Sequence, residues 1–292
     1  MNSLPLISAT DLAARLGDAD LLVVDCRFDL AKPSSGGAGD PGRGERDYNE
    51  AHVVGAVYAD LDRDLSDLSK PGLGRHPLPD ATAFSAVLAR WGWTRQTQVV
   101  AYDDAGGALA AARLWWMLRL VGARNAAVLD GGWGAWQRAG LPVEATTPPR
   151  TATVVAAEFA KNEIVYADEL HALRERAAAV VLDARAAARF RGEVEPIDPV
   201  AGHIPGALNR PLSENLGADG RFKPAAELRE ELLAVIGAHA PATVVHSCGS
   251  GVSACQNLLA FEIAGLHGSR VYAPSWSGWI SDPANPIERG AA

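Results

Sequence analysis

The residue in this chain best placed to do chemistry is Cys248. It follows the apolar run Val244-Val245-His246-Ser247 and opens the segment Cys248-Gly249-Ser250-Gly251-Val252-Ser253. An apolar pattern at helical spacing comes next, through Cys255, Leu258, Leu259, Ile263 and Leu266, and predicts an amphipathic helix. The order is strand, tight glycine turn, helix. A cysteine there faces the unpaired backbone N–H groups of a helix mouth, which lower a thiol pKa and bind anions. Gly249 and Gly251 let the backbone curl closely around whatever the sulfur carries. A cysteine closing a strand is more often a packed core thiol. Here the two glycines and the strand-to-helix setting favour a nucleophile.

Three chemistries suit such a thiol. Phosphate-ester cleavage needs a cation in the loop, six residues past the cysteine. That position is Ala254, and no basic residue occurs from Gly249 through Phe261, so this route is disfavoured. Acyl transfer or hydrolysis needs a histidine base. His246 stands two residues back, on the same face of an extended segment as Cys248. Sulfur transfer needs a persulfide anion held by several N–H donors without bulky side chains, which the Gly-Ser-Gly turn offers. The last two routes both stay open on the residues alone.

The elements that position this loop occur twice. Asp25-Cys26-Arg27, after Leu21–Val24, is mirrored by Asp183-Ala184-Arg185 after Val180–Leu182. Ala51–Ala56 is mirrored by Gly202–Ala207, and Val99–Asp103 by Val244–Cys248. Gly132-Trp133-Gly134-Ala135-Trp136 is mirrored by Ser275-Trp276-Ser277-Gly278-Trp279. The matches run in one order, so the chain is a duplicated domain. Each half alternates short apolar strands with helical stretches. In the first half strands are expected at Leu21–Asp25, Ala56–Asp60, Val99–Tyr102 and Ala127–Leu129. Helices are expected at Thr10–Leu16, Ala81–Trp91, Ala108–Val121 and Trp133–Ala139. This predicts an α/β fold of two tandem domains, each a mostly parallel sheet flanked by helices. Ligands then gather at the carboxyl ends of strands, where both Cys248 and its counterpart Asp103 fall. Asp103 is expected to cap its helix rather than to react, making the first repeat inactive. The expected boundaries are 1–143 for the first domain, 144–162 for the linker and 163–292 for the domain with Cys248. Within the linker, Glu144–Arg150 carries Pro148-Pro149. Residues 31–44, rich in glycine, serine and proline, are expected to be a mobile surface loop.

Composition narrows the classes. A net charge of −8 argues against nucleic acid or an anionic membrane as partner. Any anionic substrate must therefore be held by local cations. Three cysteines argue for free thiols in a reducing compartment. No signal peptide and no apolar run of membrane-spanning length are read, so a cytoplasmic protein is expected. His171, His239 and His267 show no metal-ligand spacing with any cysteine, so no metal and no cofactor are expected. Cys255 and Cys26 read as packed thiols, and the eight tryptophans as core and interface mass.

Taken together, these residues resemble a tandem-domain sulfurtransferase of the rhodanese family. The resemblance rests on Asp25–Arg27, Ala51–Ala56, Arg75-His76-Pro77-Leu78-Pro79, Asp183–Arg191, Gly202–Ala207, Cys248–Ser253 and Trp276–Trp279, and covers nearly the whole chain. The loop Cys248–Val252 is similar to that of 3-mercaptopyruvate sulfurtransferases. Thiosulfate sulfurtransferases of the family commonly carry Arg-Lys where this chain has Gly249-Ser250. A dianion benefits from fixed cations in the loop, and a single carboxylate needs less. The resemblance implies a persulfide on Cys248, with the sulfur passed to a thiol, cyanide or a thioredoxin-like protein. It implies that Arg189 holds the donor anion and that Ser250 polarises the donor carbonyl or relays a proton. It implies that the loop residues Gly249, Gly251, Val252 and Ser253 cradle the substrate. Asp183, Arg185 and His52 are implied as supporting residues, His52 by matching a histidine directed at that serine. His52 and His203 share a repeat position, which points equally to a role in the fold. Family members of the mercaptopyruvate type place a second arginine a few residues after Glu195-Pro196. This chain has Ile197 there, with Arg191 or Arg75 as substitutes. Thiosulfate as donor, and a non-catalytic persulfide carrier or regulatory module, therefore remain alternatives.

Overall fold

The computed structural model describes residues 5–29 and 42–291. Of the segment expected to be a mobile loop, residues 31–41 lie outside the described residues, and Arg43 and Gly44 open a helix instead. The chain forms two compact units. The first comprises Met1–Asp67, Pro79–Phe159 and Asp219–Arg221. The second comprises Leu68–Leu78, Ala160–Ala218 and Phe222–Ala292. The division is not a single cut: the stretch Leu68–Leu78 belongs by its packing to the second unit.

The first unit runs β1 (Leu6–Ile7), α1 (Ala9–Ala13), β2 (Leu21–Asp25), α2 (Arg43–Glu50), β3 (His52–Val53), β4 (Val57–Tyr58), α3 (Ala81–Arg90), β5 (Gln98–Tyr102), α4 (Ala110–Leu120), β6 (Ala126–Leu129), α5 (Gly132–Arg138) and β7 (Val143–Glu144). The second runs β8 (Ile164–Val165), α6 (Ala167–Glu175), β9 (Val180–Asp183), α7 (Ala187–Phe190), β10 (Leu208–Asn209), α8 (Ala225–Ile236), β11 (Val244–Ser247), α9 (Ala254–Ile263), β12 (Arg270–Tyr272) and α10 (Ser275–Trp279). The main sheets have strand orders β1-β6-β5-β2-β4 and β8-β12-β11-β9-β10. Every pairing in them is parallel. The two orders correspond strand for strand, which is the duplication expressed in topology. Leu21–Asp25 and Val244–Ser247 are buried along their whole length, as a sheet covered on both faces requires. Helix α9 departs from expectation. Ala254 through Phe261 are all buried, so it is a core helix rather than an amphipathic one, and Leu266 lies beyond its end.

Residues shared by the repeats turn out to build the cores. Trp133 and Trp136 pack in one, Trp276 and Trp279 in the other. His52 bonds through Nδ1 to the Tyr48 carbonyl at 2.6 Å and stacks on the Tyr48 ring. His203 does the same with Phe190, at 2.7 Å. His246 is a further core histidine. Its Nε2 pairs with Ser269 Oγ at 2.9 Å and its ring stands edge-on to Phe261. Burial pushes its pKa down to about 3.

Asp103 follows the last residue of β5. The Asp103 carboxylate accepts from the backbone N–H groups of Ala105, Gly107, Leu109 and Ala111 at 2.8–3.1 Å. Burial lifts this carboxyl above the usual range, and the four N–H bonds pull against the lift.

Two predictions follow from these buried groups. Asp103→Ala strands four donors, each costly to leave unmade, and should destabilise the protein by about 3–5 kcal/mol in urea denaturation. A loss below about 1 kcal/mol would mean that the carboxylate does not organise the loop. For His246, the unfolded chain takes up a proton near pH 6.5 that the folded chain refuses until about pH 3. Stability is therefore fully present above pH 6.5 and falls as the pH is lowered from there. The difference between pH 7 and pH 5 should be on the order of 2 kcal/mol, and His246→Gln should remove most of it. An unchanged pH slope in the variant would contradict the assignment.

Candidate active site

Cys248 follows the last residue of β11, with its side chain buried. The loop from Gly249 to Ser253 carries no regular structure and leads into α9, with Gly251 at a φ of 78° that a side chain would strain. Sγ accepts the Gly251 N–H at 3.2 Å. Val252 is buried and Ser253 sits at the cap of α9.

Ser275 closes the loop from the other side. The Cys248 N–H donates to its Oγ at 3.1 Å, and that Oγ stands 3.9 Å from Sγ. Ser275 holds a φ of 52°, a left-handed conformation that costs a side-chain residue about 1–2 kcal/mol. Its repeat counterpart is Gly132, at a φ of 54°. The second repeat thus keeps the strained backbone and adds a hydroxyl where the first has none. The repeat alignment contains this signal, a serine replacing a glycine beside Cys248.

Asp183 and Arg185 form a two-point ion pair, with Nη2 to Oδ2 at 2.7 Å, and Arg185 also donates to the Gly202 carbonyl. The guanidinium lies over Trp276. Asp25 and Arg27 repeat every part of this device with Ala51 and Trp133. The pair is therefore a brace of the fold. In the second repeat the brace also carries charge to the site. Burial works against the Arg185 cation, but Asp183, Glu195 and Cys248 outweigh it and hold its pKa above the usual range.

Arg189 does stand at the loop. Both its terminal nitrogens lie within 4 Å of the point where a Cβ on Gly249 would be. It bonds Glu195 at 2.7 Å and Asp198 at 3.1 Å. Burial pushes the Glu195 carboxyl up, but Arg189 and the N–H groups of Asp198 and Ile197 hold it below the usual range. Arg75 reaches the same place and shares Asp198, with Nη2 2.9 Å from the Gly249 Cβ position. Of the two substitutes for the missing arginine at position 197, Arg75 is the one beside the loop. Arg191 pairs with Glu193 on the exterior.

The histidine on Ser250 is His76, with Nδ1 2.7 Å from Oγ. The expectation for His52 is thus corrected: its Nδ1 is held by Tyr48, and its position is a shared fold feature. His246 is a poor candidate for the base of hydrolysis: it is fully buried, its Nε2 pairs with Ser269 Oγ, and burial pushes its pKa down to about 3. Arg75 and His76 arrive on a segment without helix or strand. Gly74, at a φ of 89°, approaches so closely that a Cβ would meet the Pro274 carbonyl at 2.5 Å. The Arg75 N–H donates to Ser277 Oγ at 3.0 Å. The Gly-x-Gly-Arg-His pattern carried that signal, but nothing local said which loop it would meet. Cys26 and Cys255 are buried thiols as expected, and burial pushes Cys26 well above the usual range.

Comparison with known proteins places the chain in a family. The rhodanese-like domain matches residues 8–139 and again 166–282. A Pseudomonas aeruginosa protein named as a probable 3-mercaptopyruvate sulfurtransferase is 45% identical over 99% of this chain and 100% of its own. A Mycobacterium tuberculosis protein, provisionally named thiosulfate sulfurtransferase SseB, is 37% identical over 98% of both chains. The crystal structure of SseA from Escherichia coli, described as a 3-mercaptopyruvate sulfotransferase, superposes with a TM-score of 0.77 at 30% identity, covering 94% of this chain and 100% of that one. With both repeats matched and a full-length relative at this identity, the chain belongs to the rhodanese family, as a protein of two rhodanese-like domains.

Proposed function

We propose that this protein is a sulfurtransferase that moves one sulfur atom from 3-mercaptopyruvate to a thiol or cyanide acceptor through a persulfide on Cys248. The observation that carries the reading is the contrast between equivalent loops. In the first repeat the N–H groups close on the carboxylate of Asp103. In the second, an N–H meets the sulfur of Cys248. The same nest thus favours an anion, supplied by the chain itself at 103 and made by the reaction at 248. The full-length relatives support sulfur transfer as the chemistry.

The steps balance without an external oxidant. The Cys248 thiolate attacks the donor sulfur. The sulfur–carbon bond breaks, its electron pair stays on the three-carbon fragment as an enolate, and that carbon takes a proton to give pyruvate. The sulfur is oxidised to the sulfane level as the carbon is reduced. Ser250 Oγ, held by His76, is the group to polarise the donor carbonyl and to hand over the proton. Arg189 holds the donor carboxylate. An acceptor thiol then attacks the outer sulfur, leaves as its persulfide and restores the Cys248 thiol. With cyanide the product is thiocyanate. A small-molecule donor and a thiol, cyanide or thioredoxin-like acceptor are the partners in this reading. No helix among the described residues is long and apolar enough to cross a membrane.

Thiosulfate is the second reading. What favours it is the pair of guanidiniums, Arg75 and Arg189, beside Gly249, because two cations suit a dianion. Steady-state transfer to cyanide from each donor, side by side, separates the readings. We expect kcat/KM to favour 3-mercaptopyruvate at least tenfold and Cys248→Ser to abolish both activities. A preference for thiosulfate would replace the donor assignment, and turnover by the serine variant would overturn the mechanism.

A further inference from the structure

The first repeat keeps a cavity of about 280 Å³ beside the carboxyl ends of β2 and β5, at the place that corresponds to the Cys248 cleft of the second. Arg27 and Trp133 line it, stacked as Arg185 and Trp276 are. Asp104 lines it where the second repeat has Gly249. Tyr48 and Phe190 are equivalent through the histidines they hold, so Asp47, also in the lining, stands where the second repeat has Arg189. The first cleft has therefore lost a cation and gained two acids. All of these lining residues belong to the first unit.

Arg27 is 4% exposed. Its Nε and Nη2 bond Asp25 and the Ala51 carbonyl, and its Nη1 makes no hydrogen bond among the described residues. The same nitrogen of Arg185 has a carboxylate beside it, Glu195 Oε2 at 3.5 Å. Among the described residues Arg27 pairs with no carboxylate but Asp25. Where the second repeat supplies a carboxylate of its own, the first has a cavity. Around it the charge is negative. Asp47 and Asp104 share Arg43, at 3.1 Å and 2.5 Å, which leaves one negative charge over. Glu50 adds another and makes no ion pair among the described residues. The site thus offers a buried guanidinium nitrogen within a rim of surplus acids.

We infer that this cavity is a second ligand site, which binds a small zwitterionic α-amino acid, its carboxylate on Arg27 Nη1 and its ammonium among Asp47, Glu50 and Asp104. The inference goes beyond sulfur transfer and stands whatever reaction Cys248 performs. Both charges are needed. A simple anion would satisfy Arg27 but add to the negative rim, and a simple cation would leave the buried donor unmade. A guanidinium edge suits a carboxylate, as Glu195 beside Arg185 illustrates within the same chain. The volume lies at the low end of ligand cavities, which run from about 300 to 1,000 Å³, so the side chain must be short.

The test is isothermal titration calorimetry of the full chain with L-serine, and with ethanolamine and glycolate as probes that carry only one of the two charges. L-serine should saturate one site per chain with a Kd below about 1 mM, and each single-charge probe should bind at least tenfold more weakly. Glu50→Gln, on the surface, should weaken L-serine at least tenfold, and Ala51→Leu, which fills the cavity, should abolish binding. Arg189→Gln and Cys248→Ser, in the other repeat, should leave it unchanged. No saturation by L-serine in the wild type overturns the inference, as does equal binding of either single-charge probe. Binding that survives Glu50→Gln and is lost in Arg189→Gln also overturns it, because the ligand would then sit at the Cys248 loop. Circular dichroism establishes that each variant is folded. The sulfur-transfer reading is tested separately, by wild-type turnover, which Glu50→Gln should retain in full.

Discussion

The structure depends on one interaction, a cluster of backbone N–H groups at the end of a central parallel strand that must be given something negative to hold. Burying such donors without a partner costs about 1–3 kcal/mol each. The first repeat meets the requirement permanently, with the Asp103 carboxylate and four N–H bonds. The second puts a thiol there, with one N–H at 3.2 Å and a serine in a strained conformation alongside. That thiol is a poorer partner than a carboxylate, and what is lost in stability is available to favour an anionic sulfur when one forms. The duplicated domain thus separates two demands that conflict in one loop. One copy is stabilised at this point by its own carboxylate, and in the proposed reading the other is left to react.

Around that loop the second repeat modifies shared devices rather than inventing new ones. The Asp183–Arg185 brace and its Trp276 platform have counterparts in Asp25, Arg27 and Trp133. What the second unit adds is Glu195 and Asp198, which tether Arg189, and the segment that delivers Arg75 and His76. Charge is balanced locally through these pairs, which hold the cations beside the loop. The negative field of the chain makes that local balance necessary.

Much of this was legible in the sequence because it is local or periodic. The strand–glycine–helix order placed Cys248 at a strand end, and the ordered repeats announced two similar sheets. The carboxylate at 103 signalled a cap, and the repeat parity of His52 and His203 announced a role in the fold. The parts that were not legible depend on distant approach. His76 sits in a stretch with neither strand nor helix period, so no pattern says that it will meet Ser250, 174 residues away. Arg75, far from position 197 in sequence, stands beside the loop at Gly249, which no reading of the neighbouring sequence can reveal. His246 is spent inside the core on Ser269 and Phe261, which its place in an apolar strand does not announce. The expected amphipathic helix failed because α9 is buried on every face from Ala254 through Phe261, and its polar Gln256 and Asn257 bond to Leu212, Asn215 and Arg210.

The central claim is that sulfur rests on Cys248 between donor and acceptor. The direct measurement is intact-protein and peptide mass spectrometry after stoichiometric 3-mercaptopyruvate is added without acceptor, followed by a chase with cyanide. The account predicts a gain of one sulfur confined to the Cys248 peptide, with Cys26 and Cys255 unchanged, and its complete loss on the chase. An unmodified Cys248 under conditions that support turnover, or sulfur lodged on another cysteine, would contradict it.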